Sequence, residues 1–388
     1  MITNRIASVR PSATIALTAL AKRMKAEGKD VLSFCAGEPD FSTPEHIKEA
    51  AKKAIDENFS YYTPAAGIDS LRTAIAAKLK RENRLDYGKD QVIVTNGGKH
   101  ALYSTYQTLL NPGDEAIIIS PYWVSYREQI QMAEAVPVVV ESDDGFGLDL
   151  DLLRKAWGPK TRLVTLNSPS NPSGAVLDRK TLQAIADQVL EQDGFVISDE
   201  VYEHFLYDRG QPSSIASLGD EIKEKTITIN SVSKTYAMTG WRIGWSASNG
   251  ELAKAMGAAQ SHTTSNPNSI AQKAAVAAYE GPQESVKQMR DAFDERRKYM
   301  VKRLNEMEGV SCSPPKGAFY CFPEVKDAYP EGIRNSMEFC KHLLDEARLA
   351  LVPGSAFGRE HHVRISYAAS REDIEKGMDR LERFLGRR

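Results

Sequence analysis

Six short apolar runs, QVIVTN, EAIIIS, VPVVVE, RLVTLN, FVISDE and TITIN, punctuate the stretch from about residue 44 to 285, with helix-like segments between them. Most are nearly continuous in Val, Ile and Leu, which suits strands buried on both faces of a sheet, and their alternation with helices makes that sheet mostly parallel. The first helix of the stretch has Thr43 as its cap and Pro44 in its first turn, with Ile47, Ala50, Ala51, Ala54 and Ile55 sharing a face. From about residue 285 the texture changes. A charged helix, SVKQMRDAFDERRKYMVKRLNEM, leads into GAFYCF, the helix SMEFCKHLLDEAR, the strand HHVRISYA and a final helix. The expected fold class is therefore α/β, with a large unit over residues 44–285, a smaller α+β unit over 286–388, and residues 1–43 forming an arm that joins the small unit. A cleft between the two units is the natural ligand site.

A chain of 388 residues can bury a large core without disulfides or metals. Its 50 basic and 52 acidic residues leave a net charge of −2, which argues against a nucleic-acid partner. No apolar run approaches the roughly 20 residues that cross a bilayer, so no membrane partner is expected. Cys35, Cys312, Cys321 and Cys340 form no CxxC pair and lie at no metal-ligand spacing; scattered thiols fit a reducing, cytoplasmic setting. The first 25 residues hold Arg5, Arg10, Lys22, Arg23 and Lys25 and no acid, a pattern open to a transit-peptide reading. An arm and helix, PSATIALTALAKRMKAEG, ended by Gly28, is the preferred reading.

In open α/β sheets ligands bind beyond the carboxyl ends of the strands, so the residues that follow each apolar run carry the functional signal. Gly97 and Gly98 follow QVIVTN and open a helix, where free backbone N–H groups can cradle phosphate. Asn171 lies in the two-proline loop after RLVTLN, Asp199 ends FVISD with Tyr202 three residues on, and Lys234 and Arg242 follow TITIN. Each has an ordinary explanation as a turn former, a helix cap or a solvated cation. Their joint occurrence at the strand ends of one sheet, with a lysine near a phosphate-type turn, fits Schiff-base chemistry with a phosphorylated aldehyde.

The segment SVSKTYAMTGWRIGW resembles the cofactor-lysine signature of class I aminotransferases, the fold-type I pyridoxal-phosphate enzymes. PSAT, AGEPDF, YYTPAAGI, NGGKHA, SPYWVSY, NSPSNPSG, SDEVYE and VRISYA follow in family order over nearly the whole chain, and the sequence looks most like the bacterial aspartate aminotransferase branch, some of whose members accept prephenate. The resemblance implies a seven-stranded, mostly parallel sheet in the large unit, pyridoxal 5′-phosphate as cofactor, amino acids and 2-oxo acids as substrates, and a homodimer. Carried onto this chain, it implies that Lys234 holds the cofactor as an imine and shuttles the substrate proton. Asp199 would pair with the ring nitrogen, while Tyr202 and Asn171 would bond the ring hydroxyl and Trp123 would stack on the ring. Arg242, Ser231, Ser233 and the backbone at Gly98 and Lys99 would hold the phosphate, joined by Tyr62 of a neighbouring subunit. Arg364 would grip the substrate α-carboxylate, assisted by the backbone at Gly37. A cation should face the distal carboxylate of an aspartate or glutamate substrate, and Lys99, with Thr14 of the arm, is the candidate. Cys35 reads as packing.

Three other readings stand beside aspartate transamination: aromatic- or alanine-type transamination, β-elimination or carbon–sulfur cleavage on the same cofactor, and the cofactor-binding module of a transcription regulator. The last finds no basic helix-turn-helix segment in the sequence.

Overall fold

The computed structural model describes residues 2–208 and 210–386. Near the amino end a helix, Ala13–Ala26, starts at Ser12, whose side chain accepts from the Ile15 N–H, and it leads to strand β1, Leu32–Ser33. The large sheet then takes seven strands: β2 (Val92–Thr95), β3 (Glu115–Ser120), β4 (Val136–Glu141), β5 (Thr161–Asn167), β6 (Phe195–Asp199), β7 (Thr226–Ser231) and β8 (Gly244–Ala247). Their order is β2-β8-β7-β6-β5-β3-β4, and β8 alone runs against its neighbours. The six apolar runs of the sequence supply β2 to β7. The seventh strand, GWSA, carries no Val or Ile.

Period-two alternation explains why both faces of this sheet are apolar. Ile118, Leu163 and Ile197 point into one buried cluster with Ala101, Leu102 and Tyr106 of the helix Gly98–Leu109. Their chain neighbours Ile117, Val164 and Val196 point the other way, into a cluster with Leu182, Ile185 and Val189 of the helix Arg179–Glu191. Each fully buried side chain of this kind contributes about 1.5–3 kcal/mol.

Further helices cover the large sheet, and beside it lies a smaller α+β layer. It contains β9 (Tyr320–Cys321), β10 (Leu349–Ala350), β11 (Val352–Pro353) and β12 (Val363–Ser366), with β11-β12-β9 as an antiparallel sheet and β1 paired parallel to β10. The amino-terminal segment thus packs onto the carboxy-terminal layer. The core of this layer joins Phe34, Phe293, Phe319, Phe339, Ile365 and Leu381 with Tyr202, Phe205 and Tyr207 from the segment after β6. The charged helix is Glu284–Asn305, and its Met289, Phe293, Met300 and Leu304 face that core.

Two local expectations are corrected. Thr43 does not cap the helix Glu45–Asp56; its hydroxyl donates to the Ala237 carbonyl at 2.8 Å and accepts from Trp241 Nε1 at 3.2 Å, while Pro44 stands just outside the first turn. A tertiary partner has outcompeted the local one. On the same helix Ile47, Ala51 and Ala54 are buried but Ile55 is 58% exposed, because the i, i+4, i+7 stripe passes one position before it.

Candidate active site

Strand ends, the Gly97–Gly98 turn, the amino-terminal helix and β12 enclose one cavity of about 340 Å³. Every residue singled out for the site from the sequence lines it except Gly97 and Tyr62: Lys234, Asp199, Tyr202, Asn171, Trp123, Gly98, Lys99, Ser231, Ser233, Arg242, Gly37, Arg364 and Thr14. Tyr62 is 91% exposed and lies outside this chain's cavity.

The floor near β2 and β7 is an anion-type cradle. Gly97 has φ +88°, a conformation that favours glycine, and a Cβ there would fall 2.3 Å from the Arg242 guanidinium. The helix that begins at Gly98 brings its amino end, with no side-chain cap, to the cavity, so its dipole favours negative charge there. Arg242 donates to the carbonyls of Thr239 (2.8 Å) and Asn96 (3.3 Å), which holds it at the rim. Ser231 is buried, accepts from the Ser233 N–H, and gives its own N–H to Asn230 Oδ1 at 2.7 Å. Asn230 is fixed in turn by Glu203 Oε1 at 2.5 Å, and Glu203 pairs with buried Lys78 and accepts from Asn83 at 2.7 Å. A buried ion pair whose oxygens are all engaged holds its neighbours in one arrangement.

At the centre, Asp199 closes β6 with its carboxylate buried. Tyr126 donates its hydroxyl to Oδ2 at 2.6 Å, and the Val201 N–H approaches Oδ1 at 3.3 Å. Burial pushes the Asp199 carboxyl up to about 6, against the opposing pull of Tyr126, Val201 and Lys234. Such a group gains most from a cationic N–H brought beside it. Asn167, level with Asp199 across β5 and β6, donates to the Asp199 carbonyl and accepts from the Asn171 N–H at 2.8 Å, so the proline loop is tied to the sheet edge.

Lys234 lies in the short helix Val232–Thr235 directly after β7, and its ammonium donates to the Gly37 carbonyl. Burial lowers its pKa to about 8; Arg364 and Arg242 push the same way, while Glu38 and Asp199 oppose them. Trp123, edge-on to Tyr126 at 5.4 Å, forms one wall, and the Lys99 ammonium stands 4.8 Å from its ring centre. Arg364 on β12 is 1% exposed and donates to Asn171 Oδ1 (3.0 Å) and the Cys35 carbonyl (2.6 Å). The Cys35 thiol itself is buried, with burial raising its pKa to about 11, so it packs rather than reacts. Sequence reasoning missed Tyr126, Asn167 and Tyr320. Tyr126 had a signal, since it follows Trp123 at helical spacing in the same SPYWVSY segment.

With this geometry in place, comparison with known proteins identifies the family. The model of aminotransferase classes I and II matches residues 29–381. The chain belongs to the class I and II aminotransferases. An aspartate aminotransferase of Geobacillus stearothermophilus is 47% identical over 99% of this chain and 98% of its own. An aspartate/prephenate aminotransferase of Thermus thermophilus is 41% identical over 100% and 99%. The crystal structure of the aspartate aminotransferase from Rhizobium meliloti superposes with a TM-score of 0.96 at 41% identity, covering 100% of this chain and 99% of that one.

This aminotransferase is a pyridoxal 5′-phosphate enzyme, and its cavity fits that group. Two buried polar atoms on the wall, Arg364 Nε and Thr14 Oγ1, find no hydrogen-bond partner among the described residues, as expected of groups awaiting a polar ligand. One consequence is measurable in cofactor-stripped protein. If the Lys234 amine captures the cofactor, the rate with added pyridoxal 5′-phosphate is expected to rise about tenfold per pH unit below the Lys234 pKa of about 8 and to level off above it, because only the neutral amine attacks. Stopped-flow absorbance reads this directly, and a pH-independent rate would remove Lys234 as the nucleophile.

Proposed function

We propose that this aminotransferase exchanges the amino group of aspartate or glutamate for the carbonyl oxygen of a 2-oxo acid, working as a homodimer. One arrangement carries the reading: an amine of lowered pKa at Lys234, a buried carboxyl at Asp199 and a buried guanidinium at Arg364 share one cavity.

Pyridoxal phosphate, when bound, supplies a ring that takes up the electron pair released as the substrate Cα–H bond breaks. Arg364 binds the substrate α-carboxylate, since its planar fork matches two oxygens and its Nε is unengaged. Asn171, already bonded to Arg364, and Tyr202 fix the ring oxygen side, and Trp123 covers the ring face. The Gly98 and Lys99 N–H groups, Ser231, Ser233 and Arg242 bind the phosphate. Asp199 holds a proton at the ring nitrogen. Lys234 Nζ, as a neutral amine of lowered pKa in the same cavity, would take the proton from the substrate Cα and hold it for return. With the α-carboxylate gripped by Arg364, the substrate Cα–H bond would be oriented for removal of its proton by Lys234. Tyr62, exposed in the single chain, fits delivery to the phosphate of a neighbouring copy.

The distal carboxylate of the substrate is assigned to Lys99, with the unpartnered Thr14 hydroxyl of the arm beside it. Crowding around the Lys99 ammonium and the Arg242 charge lower its pKa, although the residue as a whole is exposed; a carboxylate brought alongside relieves both effects. The relatives named for aspartate and for aspartate and prephenate support a dicarboxylic donor. A matrix of aspartate, glutamate, alanine and phenylalanine against 2-oxoglutarate, oxaloacetate and prephenate tests the assignment. Lys99→Ala is expected to lower kcat/KM for aspartate roughly ten- to a hundredfold, the worth of one charged hydrogen bond, and to spare phenylalanine. Equal losses on both donors would reassign Lys99 to the cofactor phosphate. Release of pyruvate and ammonia without any acceptor would replace transamination by elimination.

A further inference from the structure

We infer that Tyr320 is a positioning residue of this site, a single phenol that fixes both the Tyr202 hydroxyl and the Arg364 guanidinium. The inference rests on the roles proposed above for those two side chains. Tyr320 opens β9, where it pairs with Ser366, two residues beyond Arg364 on β12. It is fully buried, its hydroxyl lies 2.8 Å from that of Tyr202, and its ring centre is 4.5 Å from the Arg364 guanidinium carbon. On the other side, a Cβ on Gly37 would fall 2.6 Å from the Tyr320 hydroxyl, so a glycine is what lets the carbonyl that receives Lys234 run against this phenol. Tyr320 therefore touches three parts of the machinery at once.

Two phenols in contact share one hydrogen bond and have one proton left over. Burial, first of all, raises the pKa of both, so both stay protonated. The charged groups facing the pair are Arg364 from β12, Asp199 from β6 and Glu38 from the loop after β1, with Lys234 bonded to the adjoining Gly37 carbonyl. The Arg364 cation lies on the Tyr320 ring, which makes Tyr320 the better acid of the two and hence the donor. Tyr202 then accepts, and its own proton is directed into the cavity. A hydroxyl that both accepts and donates is polarised, strengthening its outgoing bond by about 10–30%.

Two variants separate the two contacts. Tyr320→Phe keeps the ring under Arg364 and removes the hydroxyl, whereas Tyr320→Leu removes both. In the cofactor-loaded protein, Tyr320→Phe is expected to raise the pH midpoint of the visible absorbance by about half a unit, because a weaker donor at Tyr202 leaves the ring oxygen more basic. The dissociation constant for succinate, an unreactive dicarboxylate, is expected to stay within about twofold of wild type in Tyr320→Phe and to rise about tenfold in Tyr320→Leu. An unmoved midpoint in Tyr320→Phe, or equal succinate losses in both variants, overturns the inference. A wild-type protein with no visible absorbance after loading would instead overturn the cofactor site itself.

Discussion

Lys234→Ala is expected to lower kcat by at least about 10⁴-fold, the upper range of what one positioned base contributes, because on the roles proposed for Lys234 the variant loses the cofactor anchor and the proton carrier together. The protein should remain folded, since among the described residues the amine's hydrogen bond is the one to the Gly37 carbonyl. The phosphate cradle and Asp199 are untouched, so pyridoxal phosphate is expected to bind without the spectral change that accompanies capture. Single-turnover absorbance with aspartate measures both effects. A variant retaining more than about 1% of wild-type turnover would show that another group moves the proton.

Asp199→Asn isolates charge from shape. The amide has the same volume and its oxygen still accepts from Tyr126, while its NH2 gives up only the long contact from the Val201 N–H. What disappears is the negative charge that favours a protonated ring nitrogen. Withdrawing one partner from a buried charge pair costs about 3–5 kcal/mol, which corresponds to a fall in kcat of roughly 10²–10⁴-fold. Capture by Lys234 should persist, so the variant is expected to be coloured yet slow. A kcat within about threefold of wild type would mean that Asp199 does not face the ring nitrogen.

These two residues were legible in the sequence because each follows an apolar run, and the strand ends of one sheet converge. The strands from Val92 to Ser231 were equally legible, since β-branched runs bounded by turns have few other uses. β8 was harder to read from its residues: Gly244, Trp245, Ser246 and Ala247 carry no such run, and the strand exists because its neighbours on both sides supply the ladder. Thr43 misled for a related reason, its hydroxyl being claimed by Ala237 and Trp241 far along the chain. Tyr126 and Tyr320 went unread because their importance lies in partners 73 and 118 residues away, Asp199 and Tyr202. Local pattern records which way a side chain points; it does not record whom it meets.

The reversed direction of β8 has a geometric result. A parallel successor to β7 would need a crossover long enough to carry the chain back to the opposite end of the sheet. Here the chain folds back at the same rim, and the span from Ser231 to Gly244, themselves directly paired, never leaves it. Lys234 and Arg242 are thus two stations on one hairpin, and the separation between the amine and the guanidinium is set by the loop in the manner of a gauge block.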